Sequence, residues 1–101
     1  MKIIGTPKRL FDLEIAEFGF PDEMEWVEAK KICQTLGEGW RLPTKDELNI
    51  LFENKGVIGG FEDYYYWCSW DKKPGFQLFK TGQQIDWIQG ITCLVRAVRS
   101  I

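Results

Sequence analysis

Three thiols, Cys33, Cys68 and Cys93, stand in a chain that contains no histidine at all. Those two facts bound the chemistry open to it. A cysteine nucleophile needs a base or a nearby cation to become a thiolate. Without imidazole, Cys-His and Ser-His-Asp systems are excluded, and the commonest metal ligand is missing. The cysteines are widely spaced and form no Cys-x-x-Cys pair, which removes the usual basis for a structural zinc site. An odd count argues against a disulfide framework. Three reduced thiols are expected, with Cys33–Cys93 the one pairing to consider. Cys68 falls in an apolar stretch bordered by Trp67 and Trp70, where a thiol is inert rather than reactive.

The remaining polar groups read mostly as scaffold. Asp46 and Glu47 are adjacent acids, but Glu47 lies three residues after Thr44, a capping-box spacing that accounts for it without catalysis. Arg41, Arg96 and Arg99 carry rigid five-donor forks suited to carboxylates or to carbonyls at element ends. The strongest candidate for binding is a run of aromatics and glutamines. It comprises Tyr64, Tyr65, Trp70, Phe76, Gln77, Gln83, Gln84, Asp86, Trp87 and Gln89, edged by Asp71, Lys72 and Lys73. Aromatics supply contact area at low entropic cost and glutamines supply adaptable hydrogen bonds, the combination that paratopes use. Nine of the 15 aromatics lie between Phe61 and Trp87. Residues 64–101 carry a net charge of +3 and residues 1–63 a net of −5. An exposed patch centred on Trp70, Phe76 and Trp87 is therefore expected, with Asp71, Lys73, Gln77, Gln84 and Gln89 tolerant of substitution.

The elements that must position these groups follow from periodicity. The 101 residues suffice for one domain, spanning 1–101. Phe11 to Phe18 alternates apolar and acidic residues, which predicts a half-buried strand. Trp26, Ala29, Cys33 and Leu36 fall on one face of a helix over about 23–36, ended by Gly37 and Gly39. Trp40-Arg41-Leu42-Pro43 is extended, because proline biases its predecessor away from helix. A second helix runs from the Thr44 cap to about Asn54, with Leu48, Leu51 and Phe52 inward, and Lys55-Gly56 stops it. Strands follow over 65–70, 76–80, 85–88 and 91–98, separated by turns at Asp71–Gly75, Thr81-Gly82 and Gln89-Gly90. Two helices followed by an antiparallel meander make an α+β domain. Trp26, Trp40, Trp67, Leu42 and Leu48 are expected in its core.

One string of residues is more specific than these patterns. Trp26-x-x-Ala29-x-x-x-Cys33-x-x-Leu36, followed by Gly39-Trp40-Arg41-Leu42-Pro43-Thr44-x-x-Glu47-Leu48, resembles the two-helix core of bacterial C-type-lectin-like domains. That group includes the formylglycine-generating (sulfatase-modifying-factor) fold and the C-terminal domains of collagen-like adhesins. Tyr66-Trp67-Cys68-Ser69, Gly82 and the closing Val95-Arg96-Ala97-Val98-Arg99 extend the likeness to residues 18–100. The resemblance implies pairing of the N- and C-terminal strands, two flanking helices and a binding surface on the last strands. It is also similar to the variable proteins that retroelements diversify in bacteria and phages, where the residues between the last two motifs vary on a fixed scaffold. There are departures. The small domains usually have Trp-Ser-Ser-Thr where this chain has Trp67-Cys68-Ser69-Trp70. Many relatives place a cysteine at the Ala97 position as partner to the helix cysteine, so Cys33 lacks that partner here. The Glu-Pro-Asn, Gln-Pro-Asp and Trp-Asn-Asp motifs of calcium lectins are absent, which implies calcium-independent binding.

Two functions compete. The first is a non-enzymatic module that binds a protein or glycan, with no cofactor and no metal. The second is a degenerate oxidoreductase of the formylglycine-generating type. That family is longer and holds copper with two close cysteines, whereas Cys68 and Cys93 are 25 residues apart in sequence. A net charge of −2 gives no reason to expect nucleic acid. The short apolar runs exclude a spanning helix. The start, Met1 to Pro7, lacks the apolar run of a signal peptide, which implies a cytoplasmic location or a phage or cell surface reached by another route.

The capping box yields a direct test. Thr44→Ala should cost about 1 kcal/mol of unfolding free energy. An unchanged denaturation midpoint would contradict the cap.

Overall fold

The computed structural model describes residues 3–86 and 90–101. Two three-stranded antiparallel sheets and three helices make an α+β domain. The first sheet joins the chain ends. Its strands are β1 (Lys8–Leu10), β2 (Leu13–Ile15) and β6 (Val98–Ser100), in the order β1-β2-β6. The second is a meander of β3 (Tyr65–Trp70), β4 (Lys73–Leu78) and β5 (Gln84–Asp86). Between the two in sequence lie α1 (Trp26–Gln34), α2 (Lys45–Glu53) and the single turn α3 (Lys55–Ile58).

Local chemistry explains most boundaries and corrects several expectations. The alternation over Phe11–Phe18 predicts one strand, but Phe11 takes φ 54° and reverses the chain. Leu10 then pairs with Leu13, making a hairpin of β1 and β2. Helix α1 is shorter than residues 23–36. Met24 exchanges backbone hydrogen bonds with Cys93 at 3.0 and 3.1 Å, which holds residues ahead of the helix extended. At the other end the Thr35 amide bonds Ile32 O and tightens the last turn. Helix α2 begins as its sequence requires. Thr44 Oγ1 accepts from the Glu47 amide at 3.2 Å, and Glu47 Oε1 accepts from the Thr44 amide at 2.8 Å. Lys55-Gly56 does not stop the helical path; α3 continues to Ile58 and ends at Gly59, whose φ of 80° suits glycine. The strand expected over 91–98 is instead an extended segment with isolated bridges at Cys93 and Leu94, and regular pairing begins only at Val98.

The interior consists of two apolar clusters. One gathers Ala29, Cys33, Trp40, Leu42, Trp67, Phe76, Cys93, Val95 and Ala97. The other gathers Leu13, Ile15, Leu48, Leu51, Ile58, Tyr66, Cys68, Phe79, Leu94 and Val98. Strand β3 divides them, because successive strand residues point to opposite faces. Trp67 enters the first cluster, and Tyr66 and Cys68 enter the second. The segment from Cys93 to Val98 is buried without a break and feeds both clusters by the same alternation.

Within that segment Arg96 is 0 % exposed. Among the described residues no carboxylate lies within ion-pair distance of it. Its guanidinium instead donates to three backbone carbonyls: Nε to Ala16 O at 2.7 Å, Nη2 to Glu17 O at 2.7 Å and Nη1 to Gly59 O at 3.1 Å. The Phe61 ring lies 4.4 Å from its central carbon. Gly60, at φ 77°, lies against the same group; a Cβ there would come within 3.2 Å of Nη1. Arg41 and Arg99 pair at the surface. Arg41 grips Glu47 bidentately at 2.6 and 2.9 Å, and Arg99 bonds Glu14 across β6 and β2. The reading of these arginines as scaffold agrees with those contacts.

Arg96→Met should therefore leave the buried Ala16 carbonyl and the half-buried Glu17 and Gly59 carbonyls without this donor, at up to about 1–3 kcal/mol for the buried one and less for the others. A loss of roughly 3 kcal/mol or more in chemical denaturation is expected, much of what a small domain possesses. A loss below about 1 kcal/mol would contradict the clamp.

Candidate functional site

An open groove of about 700 Å³ lies where α1, the start of α2 and the end of β3 converge. Trp26 and Lys30 come from α1, Thr44, Lys45 and Asp46 from the start of α2, and Ser69, Trp70, Asp71 and Lys72 from β3 and its turn. An adjoining crevice of about 200 Å³ shares Lys30, Thr44 and Ser69.

Each wall is fixed by local bonding. The Trp26 indole donates to Cys68 O at 3.2 Å, tying α1 to β3. The Ser69 amide donates to Pro43 O at 2.9 Å, tying β3 to the cap of α2. Trp70 leans back across β4, where a Cβ on Gly75 would sit 3.0 Å from its Cβ and Cε3. Lysines lie over both indoles, with Lys30 Nζ 4.6 Å from the Trp26 ring and Lys45 Nζ 4.1 Å from the Trp70 ring. Such contacts hold an ammonium in place while leaving its charge available. None of Lys30, Lys45 and Lys72 has an ion-pair partner among the described residues.

The hairpin tip adds an unusual backbone. Trp70 pairs with Lys73, so Asp71 and Lys72 form a two-residue turn with φ of 52° and 65°. Such turns favour Asn-Gly, because both positions are left-handed. Each ordinary side chain held there costs about 1–2 kcal/mol. The turn places the charged Asp71 and Lys72 at the groove's edge, with the larger backbone cost at Lys72, since aspartate adopts this region more readily.

The structure brings together only part of the expected patch. Trp70, Asp71 and Lys72 line the groove. Lys73 and Gln83 are exposed beside the hairpin. Gln84 is half-buried and donates to Lys45 O at 2.9 Å. Phe76 and Gln77 are corrections. Phe76 is 1 % exposed and packs edge-on against Trp67, and Gln77 is 0 % exposed. Gln77 donates to Asn49 Oδ1 and Gly82 O, both at 3.0 Å. Both are interior because the second sheet is covered on its two faces, α2 lying over the Gln77 side and the first cluster over the Phe76 side. Gln77 is thus no tolerant surface position. Asp86 belongs to β5; Trp87 and Gln89 lie outside the described residues. Tyr64 is exposed but stands away from the groove, at an acidic hollow of about 470 Å³ with Asp22, Glu23, Glu62 and Asp63. There its hydroxyl bonds Glu23 at 2.9 Å.

Sequence reasoning missed Trp26, Lys30, Lys45 and Ser69. Trp26 looks like core from its helical spacing but is only half-buried. Its partner Lys30, one turn on, was a usable signal. The +3 charge of residues 64–101 also misleads, since Arg96 is buried and Arg99 is paired with Glu14. The groove's lysines come from both halves of the chain.

All three cysteines are free and buried, and burial pushes each thiol from about 9 up to about 12. Among the described residues no three Cys, Asp or Glu side chains converge as a metal site would need. No helix among them is long and apolar enough to cross a membrane. No model of a known protein family matches the sequence, and no curated protein matches it.

The thiols carry a signed pH prediction. Unfolded thiols ionise near pH 9, whereas the native ones keep their protons to about 12. The unfolded state then binds fewer protons, so stability falls as pH rises across that window. Urea midpoints should drop from pH 8 to pH 10.5, and less steeply in Cys93→Ala. Ellman's reagent at pH 8 should find no thiol in the native protein and three after denaturation. A native thiol reacting at the denatured rate would contradict this.

Proposed function

We propose that the chain is a non-enzymatic recognition module of C-type-lectin-like architecture that binds a protein or glycan through the groove and the β3–β4 hairpin tip. The observation that carries this is the groove itself: two half-buried indoles, each beneath a lysine, set among three separate segments tied together by the bonds from the Trp26 indole to Cys68 O and from the Ser69 amide to Pro43 O. Its volume lies within the range of ligand sites. Tryptophans of this kind dominate binding energy when a partner covers them.

Further features support the architecture. Strands β2 and β6, from opposite ends of the chain, pair antiparallel, as in that fold. Two helices, α1 and α2, and the single turn α3 lie between β2 and the meander in sequence. The exposed Asp71, Lys72, Lys73 and Gln83 fall between the Tyr66–Ser69 and Val95–Arg99 motifs, the interval that retroelements vary in the similar domains. The oxidoreductase alternative gains no support from the thiols, since burial pushes Cys68 and Cys93 up to about 12, where a thiol without a metal is a poor nucleophile at neutral pH.

Arrays of surface proteins and glycans probed with the purified domain provide the test. A ligand whose affinity falls at least tenfold with Trp70→Ala, in a variant that still melts cooperatively, is expected. Aldehyde formation on a cysteine-containing peptide, in the presence of copper and oxygen, would contradict the non-enzymatic reading.

A further inference from the structure

Resting on that recognition reading, we propose that the groove takes an extended acidic segment of a partner protein, in which one or two carboxylates flank an apolar side chain. Charge is the first argument. Lys30, Lys45 and Lys72 line the groove without ion-pair partners among the described residues, while the nearby Arg41 is already engaged by Glu47. The available cations are thus all ammonium groups on flexible stems, which meet carboxylates at variable spacing. Asp46 and Asp71 line the same groove, leaving one net positive charge. That balance suits a ligand with few carboxylates and disfavours a densely sulfated polyanion.

Shape is the second argument. The apolar surface does not end at the groove wall. On its far side Trp26 also lines a crevice of about 80 Å³ with Val27, Pro74 and Ile91, where Glu25 adds one acid, so the ligand's carboxylates belong on the groove side of Trp26 and its apolar side chain on this side. Val27 is 56 % exposed. A track running from Trp70 across Trp26 to Val27 and Pro74 suits an extended chain better than a compact ring. The third argument is hydrogen bonding. The groove holds no Asn, Gln or Arg side chain to meet adjacent hydroxyl groups in a planar, two-pronged way. A saccharide would find only the two aspartates for that purpose, and the lysines would go unused.

Binding of this kind joins a tryptophan-centred contact to electrostatic steering, so association should slow as salt rises. The test begins with a library of random 12-residue peptides displayed on phage and selected against the immobilised full chain. Enriched peptides are then synthesised and measured by fluorescence anisotropy. We expect Asp or Glu beside Phe, Leu or Trp among them. We expect at least a tenfold loss of affinity in the triple variant Lys30→Glu, Lys45→Glu, Lys72→Glu, with circular dichroism unchanged. A peptide with its acids replaced by lysine should lose wild-type binding and gain binding to the triple variant. Lys72→Glu alone, in the exposed turn, gives a smaller loss and covers the case in which the triple variant fails to fold. The inference is overturned if no peptide is enriched, if enriched peptides lack acids, or if they bind the Lys72→Glu variant and wild type equally. Peptides that respond only to Lys73→Glu or Gln83→Ala would overturn the groove as the site, leaving a binding function located elsewhere on the domain. A heparin fragment that binds the groove when peptides do not would overturn the ligand class alone.

Discussion

A guanidinium sealed in a domain of this size constrains everything packed around it. Among the described residues Arg96 has no carboxylate within ion-pair distance, so its burial depends on three carbonyls from two distant segments staying aimed at it. Ala16 and Glu17 follow β2, and Gly59 closes α3. Arg96 itself sits in the extended run that leads into β6. One side chain therefore fixes the end of the first hairpin, the end of the helical region and the last strand at a common point. The two apolar clusters meet along that run, and both would open if the carbonyls moved apart.

This rigidity bears on the groove at one remove. Val98 exchanges backbone bonds with Arg41 at 2.9 Å, and Arg41 holds Glu47 in the capping box of α2. Burial alone would raise the Glu47 carboxyl, but the bonds from Arg41 and Thr44 outweigh it and hold it below its usual range. The start of α2, which presents Lys45 and Asp46, is thereby anchored to the closing strand. The opposite wall is held by the bonds from Trp26 to Cys68 O and from Ser69 to Pro43 O. Side chains on such a frame lose little freedom on binding, so more of the contact energy appears as affinity. The strained Asp71-Lys72 turn at the tip places two charged side chains at the groove's edge.

Much of this was legible in the sequence where the determining interaction is local. The capping box of Thr44 and Glu47 and the extended Leu42-Pro43 depend on neighbours a few residues away, and both appear as expected. The patch failed where the outcome depends on what covers a strand. Nothing within residues 73–78 tells that both faces of β4 are roofed, so Phe76 and Gln77 read as display residues. Likewise, the spacing of Trp26 places it on the inner face of a helix. Only the position of that helix against β3 leaves one side of its indole open over a groove. The site is assembled from residues 26–30, 44–46 and 69–72, and contacts of that sequence separation leave no periodic trace.

The central claim is that recognition occurs at this groove, on a frame that does not rearrange. Amide hydrogen exchange of the free domain, compared with the domain saturated by a peptide selected for binding, tests it most directly. The account predicts added protection concentrated in residues 26–30, 44–46 and 69–72, with amides around Arg96 slow in both states. Protection centred on the β4–β5 turn around Gln83, or new protection spread through residues 93–98, would contradict it.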